Sequence, residues 1–136
     1  MTFRARRGVR LALAWIGLML WLACGGGGGG GSTGSSTIQL APGFSPDPHT
    51  VTGEAGGPFN ANTRNSACRG FIGAVSDHTL HLTQPFNHLR VAATSPVDVT
   101  LVIQMADGSY RCNDDADGTN PVVEGPFPVG MHRVYV

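Results

Sequence analysis

The pattern of apolar and polar positions divides the chain into three regions. Apolar and small residues form one block from Leu11 to Ala23, and residues 24–37 contain only Cys24 followed by glycine, serine and threonine. From Ile38 onward, short β-branched and apolar runs alternate with Gly, Pro, Asn and Asp. Such runs, which show no helical periodicity, are typical of strands separated by turns.

The alternation is clearest in the segment DHTLHLTQ, residues 77–84. On a strand it places His78, Leu80 and Leu82 on one face and the intervening residues, His81 among them, on the other. His78 and His81 therefore point away from each other, so the pair is not expected to chelate one metal ion. His49, His88 and His132 have no ligand-like context, and a structural or surface role is expected for all five histidines.

Several other segments predict strands. They are HLRVAATS, DVTLVIQM, SYRCN, PVVEG and GMHRVYV, with weaker candidates in HTVTG and RGFIGAV. Asp107-Gly108 is a turn signal between two of them. About seven or eight short strands at this spacing predict an all-β fold, a small antiparallel sandwich or jelly roll formed by residues 38–136.

The N-terminal region has the order of charges of an export signal. Arg4, Arg6, Arg7 and Arg10 precede the apolar block, which is too short for an ordinary transmembrane helix. Residues 1–23 are therefore predicted to be a signal peptide. Without them the chain keeps five arginines, nine acidic residues and no lysine, which excludes a polybasic surface for nucleic acid.

The sequence at the end of the apolar block is Trp21-Leu22-Ala23-Cys24. It resembles the lipobox of bacterial lipoproteins, in which the cysteine receives a diacylglycerol and becomes the N-terminus after cleavage. The resemblance implies lipidation of Cys24 and, because Gly25 rather than Asp follows, an outer-membrane or cell-surface location. The alternative is an ordinary secretory signal and a soluble periplasmic or secreted domain. Residues 24–37 are predicted to be a flexible tether.

Two cysteines lie within the predicted β-domain. If Cys24 carries lipid, Cys68 and Cys112 remain as a pair, and an exported compartment permits disulfides. A bridge between them is predicted to stabilise the folded domain, whose hydrophobic core is small. The alternative is two separate buried thiols.

Four motifs follow one another in the second half of the chain. They are Asp98–Leu101, Asp107-Gly108, Cys112–Asp115, and Pro128-Val129-Gly130 before a closing strand with Tyr135. Their order and spacing resemble the bacterial pre-peptidase C-terminal domain, over residues 43–136. The resemblance implies a compact β-sandwich accessory domain that is usually not catalytic itself.

An acidic loop is the sharpest candidate for a metal site. Calcium takes six to eight oxygen ligands from carboxylates, amides and carbonyls, and the candidates here are Asp98, Asn113, Asp114, Asp115 and Asp117, with Asp107 expected nearby. The alternative is a turn in which Asp and Asn side chains accept hydrogen bonds from neighbouring amides. Calcium is the one cofactor that the sequence suggests.

The remaining candidates concern ligand binding and hydrolysis. Exposed aromatic residues would mark a binding face, although a small sandwich needs most of its aromatics in the core; the candidates are Phe44, Phe59, Phe86, Tyr110 and Phe127. The sequence has no Gly-x-Ser-x-Gly elbow. A glycosidase-type carboxylate pair would have to come from Asp114, Asp115 and Glu124, and enzyme activity is not expected.

Three hypotheses of function follow. The first is a non-catalytic, lipid-anchored surface or periplasmic module that binds a protein or glycan or has a structural role in the envelope. The second is a calcium-dependent binding or stabilising domain that uses the acidic loop. The third is a small hydrolase, which would require a concave site with converging acids or a Ser–His contact.

Overall fold

The computed structural model describes residues 1–5 and 35–136. The predicted apolar block, Cys24 and most of the tether lie outside these residues. Among the helices of the described part, none is both long and apolar enough to cross a membrane.

The described residues form an all-β fold of 11 strands and one short 3-10 helix, Ala61–Thr63. The strands are β1 Thr2–Ala5, β2 Ser36–Leu40, β3 His49–Thr50, β4 Phe59–Asn60, β5 Phe71–Ile72, β6 His78–Leu82, β7 Phe86–Ala92, β8 Leu101–Gln104, β9 Tyr110–Asn113, β10 Val122–Phe127 and β11 Gly130–Tyr135.

The strands form two main sheets with the larger hydrophobic cluster between them. One sheet has the order β10-β7-β1-β3 and the other the order β2-β6-β11-β8-β9, while β4 and β5 pair separately. Apolar side chains of both sheets, such as Leu89 and Val91 from the first and Leu80 and Ile103 from the second, belong to one buried cluster. The predicted small β-sandwich is confirmed. All strand pairs are antiparallel except β2 with β6.

The alternation in β6 has the predicted orientation. His78, Leu80 and Leu82 are buried, whereas Thr79 and His81 are half-buried. Burial of alternate side chains on the core face fixes the register of this strand, because a shift by one residue would expose the apolar set.

The predicted turn at Asp107-Gly108 joins β8 to β9. Gly108 has a φ of 86°, a conformation that glycine adopts without steric cost. Asp107 Oδ1 accepts hydrogen bonds from the Ser109 amide at 2.9 Å and the Ser109 hydroxyl at 2.6 Å. These bonds hold the turn and also lower the pKa of the exposed Asp107 carboxyl.

Cys68 and Cys112 form the predicted disulfide, with their Cα atoms 5.5 Å apart. Cys68 belongs to a second, smaller buried cluster that includes Ile72, Val102 and Tyr135, and Cys112 packs against it. The bridge therefore fastens the long segment between β3 and β6 to the five-stranded sheet.

The N-terminal part of the described chain differs from the sequence-based boundaries in two places. Thr2–Ala5, assigned to the signal peptide, forms β1 in the interior of the four-stranded sheet. Ser36 and Thr37, assigned to the tether, already belong to β2. A four-residue segment with alternating character fits an n-region and a strand equally well. In the uncut chain it pairs with β3 and β7, and its removal as part of a signal peptide stays a prediction.

Candidate functional site

Two adjoining clefts at one end of the sandwich form what we call the terminal groove. They have volumes of about 290 Å³ and 350 Å³ and share four lining residues, Ala55, Val97, Val99 and Val136. The groove lies where β11 ends, where β6 begins, and where the segment between β7 and β8 crosses the sheet edge. It is therefore built from loops supported by the strands of both sheets.

A chain of hydrogen bonds holds the wall of this groove. The Asp77 amide donates to the Val134 carbonyl at 2.9 Å, and the Val136 amide donates to Asp77 Oδ2 at 2.8 Å. The Gly56 amide in turn donates to the Val136 carbonyl at 2.6 Å. These bonds tie the segment after β3 to the last strand and fix the Asp77 carboxyl in place.

The smaller cleft contains the adjacent residues Asp77 and His78, and burial shifts their pKa values in opposite directions. Burial raises the pKa of Asp77, while the Val136 amide and the His78 charge act against that rise. Burial lowers the pKa of His78, with the Asp77 carboxylate acting in the opposite direction. The neutral imidazole is thus favoured, as expected for a histidine on the core face of β6.

His78 also makes the Ser–His contact that a hydrolase would need, although Ser36 is not among the residues that line the cleft. Ser36 Oγ lies 2.6 Å from His78 Nδ1, and the two residues are register partners in the β2–β6 pair. Activation of a serine also requires a third group that orients the base. Within residues 1–5 and 35–136, no carboxylate hydrogen-bonds to His78, and Asp77 Oδ2 already accepts from Val136. The contact links the side chains of β2 and β6 at a register pair.

The larger cleft combines acidic and apolar side chains. Phe71 and Val97 are 59% and 64% exposed at its edge, and Asp98 and Asp114 belong to the same lining. Thr100, on the cleft floor, donates through Oγ1 to the Asn113 carbonyl at 3.3 Å and thereby fastens the acidic loop to the start of β8.

The five calcium candidates do not share one location. Asp98 and Asp114 line the larger cleft together. Asn113 Oδ1 instead accepts the Val122 amide at 3.0 Å, and Asp117 lies in a β-bridge with Asn120, while Asp115 is exposed. Across the described ranges, no three His, Cys, Asp or Glu side chains are grouped as metal ligands. The calcium site remains a prediction.

The predicted aromatic candidates mostly belong to the core. Phe86 and Phe127 are buried, whereas Phe44 packs against the main cluster and Tyr110 against the smaller one. Phe59 is 46% exposed. The exposed aromatic of the groove, Phe71, was not among the candidates, because the Arg-Gly-Phe-Ile-Gly run that contains it gives only a weak strand signal.

Of the three carboxylates considered for hydrolysis, Asp114, Asp115 and Glu124, the last has ionic partners of its own. Glu124 lies on β10, where its Oε2 is 3.7 Å from His88 Nε2 and 3.7 Å from Arg90 Nη1. Its side chain therefore belongs to a partly exposed ionic cluster on the four-stranded sheet, while Asp114 lines the terminal groove.

Comparisons of the chain with protein-family models, with curated proteins and with solved structures gave no match. Any account of function therefore depends on the sequence motifs and on the geometry of the groove.

Proposed function

We propose that this chain is a non-catalytic, lipid-anchored module of the bacterial envelope that binds its ligand at the larger cleft of the terminal groove. Met1 lines the smaller cleft, whereas the lining of the larger one contains none of residues 1–23. The observation that carries the proposal is the exposure of Phe71 and Val97 beside Asp98 and Asp114. Scattered exposed apolar residues are normal on a small domain. Two of them at the edge of one concave, acidic site favour an interaction surface.

The chemistry of the groove limits the ligand class. Apolar side chains favour contact with a hydrophobic face, and carboxylates accept hydrogen bonds or pair with cations. A protein segment and a glycan both offer such a combination. Resemblance to the pre-peptidase C-terminal domain supports the same reading, since it implies an accessory domain rather than a catalytic one.

The anchor part of the proposal is tested by mass spectrometry of the chain isolated from a bacterial envelope. The expected species begins at Cys24, carries acyl groups, and is two hydrogens lighter than the reduced form because of the Cys68–Cys112 bridge. An uncut chain with a free thiol at Cys24 would contradict the anchor.

The groove part is tested in detergent, by co-sedimentation of the processed chain with envelope fragments from which the lipids have been extracted, so that the acyl anchor has no membrane to enter. Val97→Ser is expected to weaken binding several-fold, because it removes an apolar side chain from the groove. Val129→Ser is the matched control, since Val129 is 55% exposed and lies outside both groove clefts. Equal binding by the two variants would contradict the groove assignment.

A calcium-dependent role is the second candidate. The observation in its favour is that Asp98 and Asp114, from separate loops, line the same cleft. Coordination would then also require carbonyl, amide or water oxygens.

A further inference from the structure

The strand β1 occupies a place in the fold that the predicted export processing would empty. β1 lies between β7 and β3 in the four-stranded sheet, and it pairs antiparallel with both neighbours. Removal of residues 1–23 would leave a gap one strand wide between β7 and β3, which we call the β1 slot.

The slot is lined by backbone groups that need a partner. Four register pairs join β1 to β7, from Thr2 opposite Ala92 to Ala5 opposite Leu89. On its other side, the Met1 amino group donates to the Val51 carbonyl at 2.7 Å and the Val51 amide donates to the Met1 carbonyl at 3.1 Å. Without β1, one edge of β7 exposes a ladder of unpaired amides and carbonyls, a template for an added strand.

The slot also contains an apolar socket, by which we mean the buried space that the Phe3 side chain fills. Phe3 is fully buried and belongs to the main core cluster. It lies opposite Val91 on β7 and opposite His49 on β3, with its ring centroid 6.4 Å from that of His49. Loss of Phe3 would open the core to water at the centre of the sheet.

Neither the tether nor the strands β2 and β3 supply a replacement for Phe3. Between the predicted cut and β2, residues 24–35 contain no aliphatic or aromatic side chain. β2 itself is paired with β6 in the other sheet. β3 has only two residues and pairs only with β1 among the described strands, so it provides too short an edge to cover β7.

We propose that, after removal of residues 1–23, the β1 slot binds an extended segment of another protein by strand addition. The added strand runs antiparallel to β7, as β1 does, and places a large apolar side chain, best an aromatic one, opposite Val91. Main-chain hydrogen bonds supply affinity and the socket supplies specificity, as in other recognition by strand addition. The inference depends on the proposed processing at Cys24 and adds a site separate from the larger cleft.

The test uses the processed chain isolated in detergent, with mass spectrometry showing that residues 1–23 are absent. The probe is a synthetic peptide with the sequence of residues 1–7, labelled at its C-terminus and followed by fluorescence anisotropy. Saturable binding is expected, together with slower amide exchange at Leu89–Ala92. A peptide carrying Phe3→Ser is expected to bind at least about tenfold more weakly, because it leaves the socket unfilled.

The matched protein control is the full chain with Cys24→Ala, in which the lipidation and cleavage site is removed. Its slot is occupied by its own β1, so it is expected not to bind the peptide. The proposal is overturned if the processed chain binds neither peptide, binds both equally, or sediments as a dimer that excludes the peptide. If the isolated chain retains residues 1–23, its mass is that of the uncut chain. That result contradicts the proposed anchor, and the present proposal is overturned with it.

Discussion

At the scale of single residues, His132 is the clearest example of a polar group that the fold has fixed in one state. It is fully buried on β11. Its Nδ1 accepts the Ala106 amide at 3.2 Å, and its Nε2 lies 2.9 Å from the Pro128 carbonyl. Only the neutral tautomer with the proton on Nε2 satisfies both bonds, because protonation of Nδ1 would set two N–H groups against each other.

This arrangement predicts a pH-dependent stability. Burial lowers the pKa of His132, against smaller opposing effects from the Pro128 carbonyl and Asp107. The unfolded chain, with a histidine pKa of about 6.5, then binds more protons than the native one. The free energy of unfolding is expected to fall as pH drops below that value, by up to about 1.4 kcal/mol per pH unit for one such group.

Urea unfolding between pH 8 and pH 5 measures this dependence. Burial of His78 acts in the same direction, so the wild-type slope contains contributions from two imidazoles. The variant His132→Gln is expected to have a shallower slope than the wild type. An unchanged slope in that variant would show that His132 is protonated equally in both states.

At the scale of elements, the sequence predicted most strands correctly because each depends on local alternation and on turn residues. β6 and the β8–β9 turn needed no information from distant residues. The pairing of β2 with β6 in parallel was not predictable, since a parallel neighbour depends on where the chain returns to the sheet. Phe71 was missed for a related reason, because its exposure depends on what packs beside a two-residue strand.

The disulfide is the element-scale feature with the largest expected effect on stability. It joins residues 44 positions apart, and loss of a ring of that size costs about 4 kcal/mol in the chain-entropy model. We expect Cys68→Ala with Cys112→Ala to lower the free energy of unfolding by that order, measured in a Cys24→Ala background that removes the third thiol. A loss below about 1 kcal/mol would contradict a stabilising bridge.

The loop from Asn113 to Asp117 gives a test of the calcium alternative. If calcium binds between Asp98 and Asp114, the melting temperature should rise in millimolar calcium and fall with chelator, because the ion binds only the native state. Asp98→Asn is expected to abolish the shift, whereas Asp115→Asn, outside the clefts, should retain most of it. Identical melting with calcium and with chelator would remove the hypothesis.

At the scale of the whole molecule, the tertiary structure places β1 in the interior of the four-stranded sheet. Phe3 in the uncut chain belongs to the core, so Phe3→Ala is expected to cost about 3–5 kcal/mol in the full Cys24→Ala chain. Thr2→Ala, at a half-buried neighbour, should cost far less. Chemical denaturation of the two variants measures the difference.

The effect of Phe3→Ala on stability can also be compared between the full chain and the processed chain. Phe3→Ala in the precursor should leave the processed chain unchanged in stability, since residue 3 is no longer present. A full chain that tolerates Phe3→Ala without loss would show that β1 contributes little to the core, and it would remove the basis for the β1 slot.

By itself, the sequence determined the all-β class, most of the strand segments and the Asp107-Gly108 turn, and it favoured a bridge between Cys68 and Cys112. Each depends on local alternation, on backbone preference, or on the count of thiols. Only the tertiary structure decided that Thr2–Ala5 lies inside a sheet, that Phe71 and Val97 edge one cleft, and that Asp98 and Asp114 share it. Those features join residues far apart in the chain, and the burial and hydrogen bonding that define them exist only once both sheets have packed.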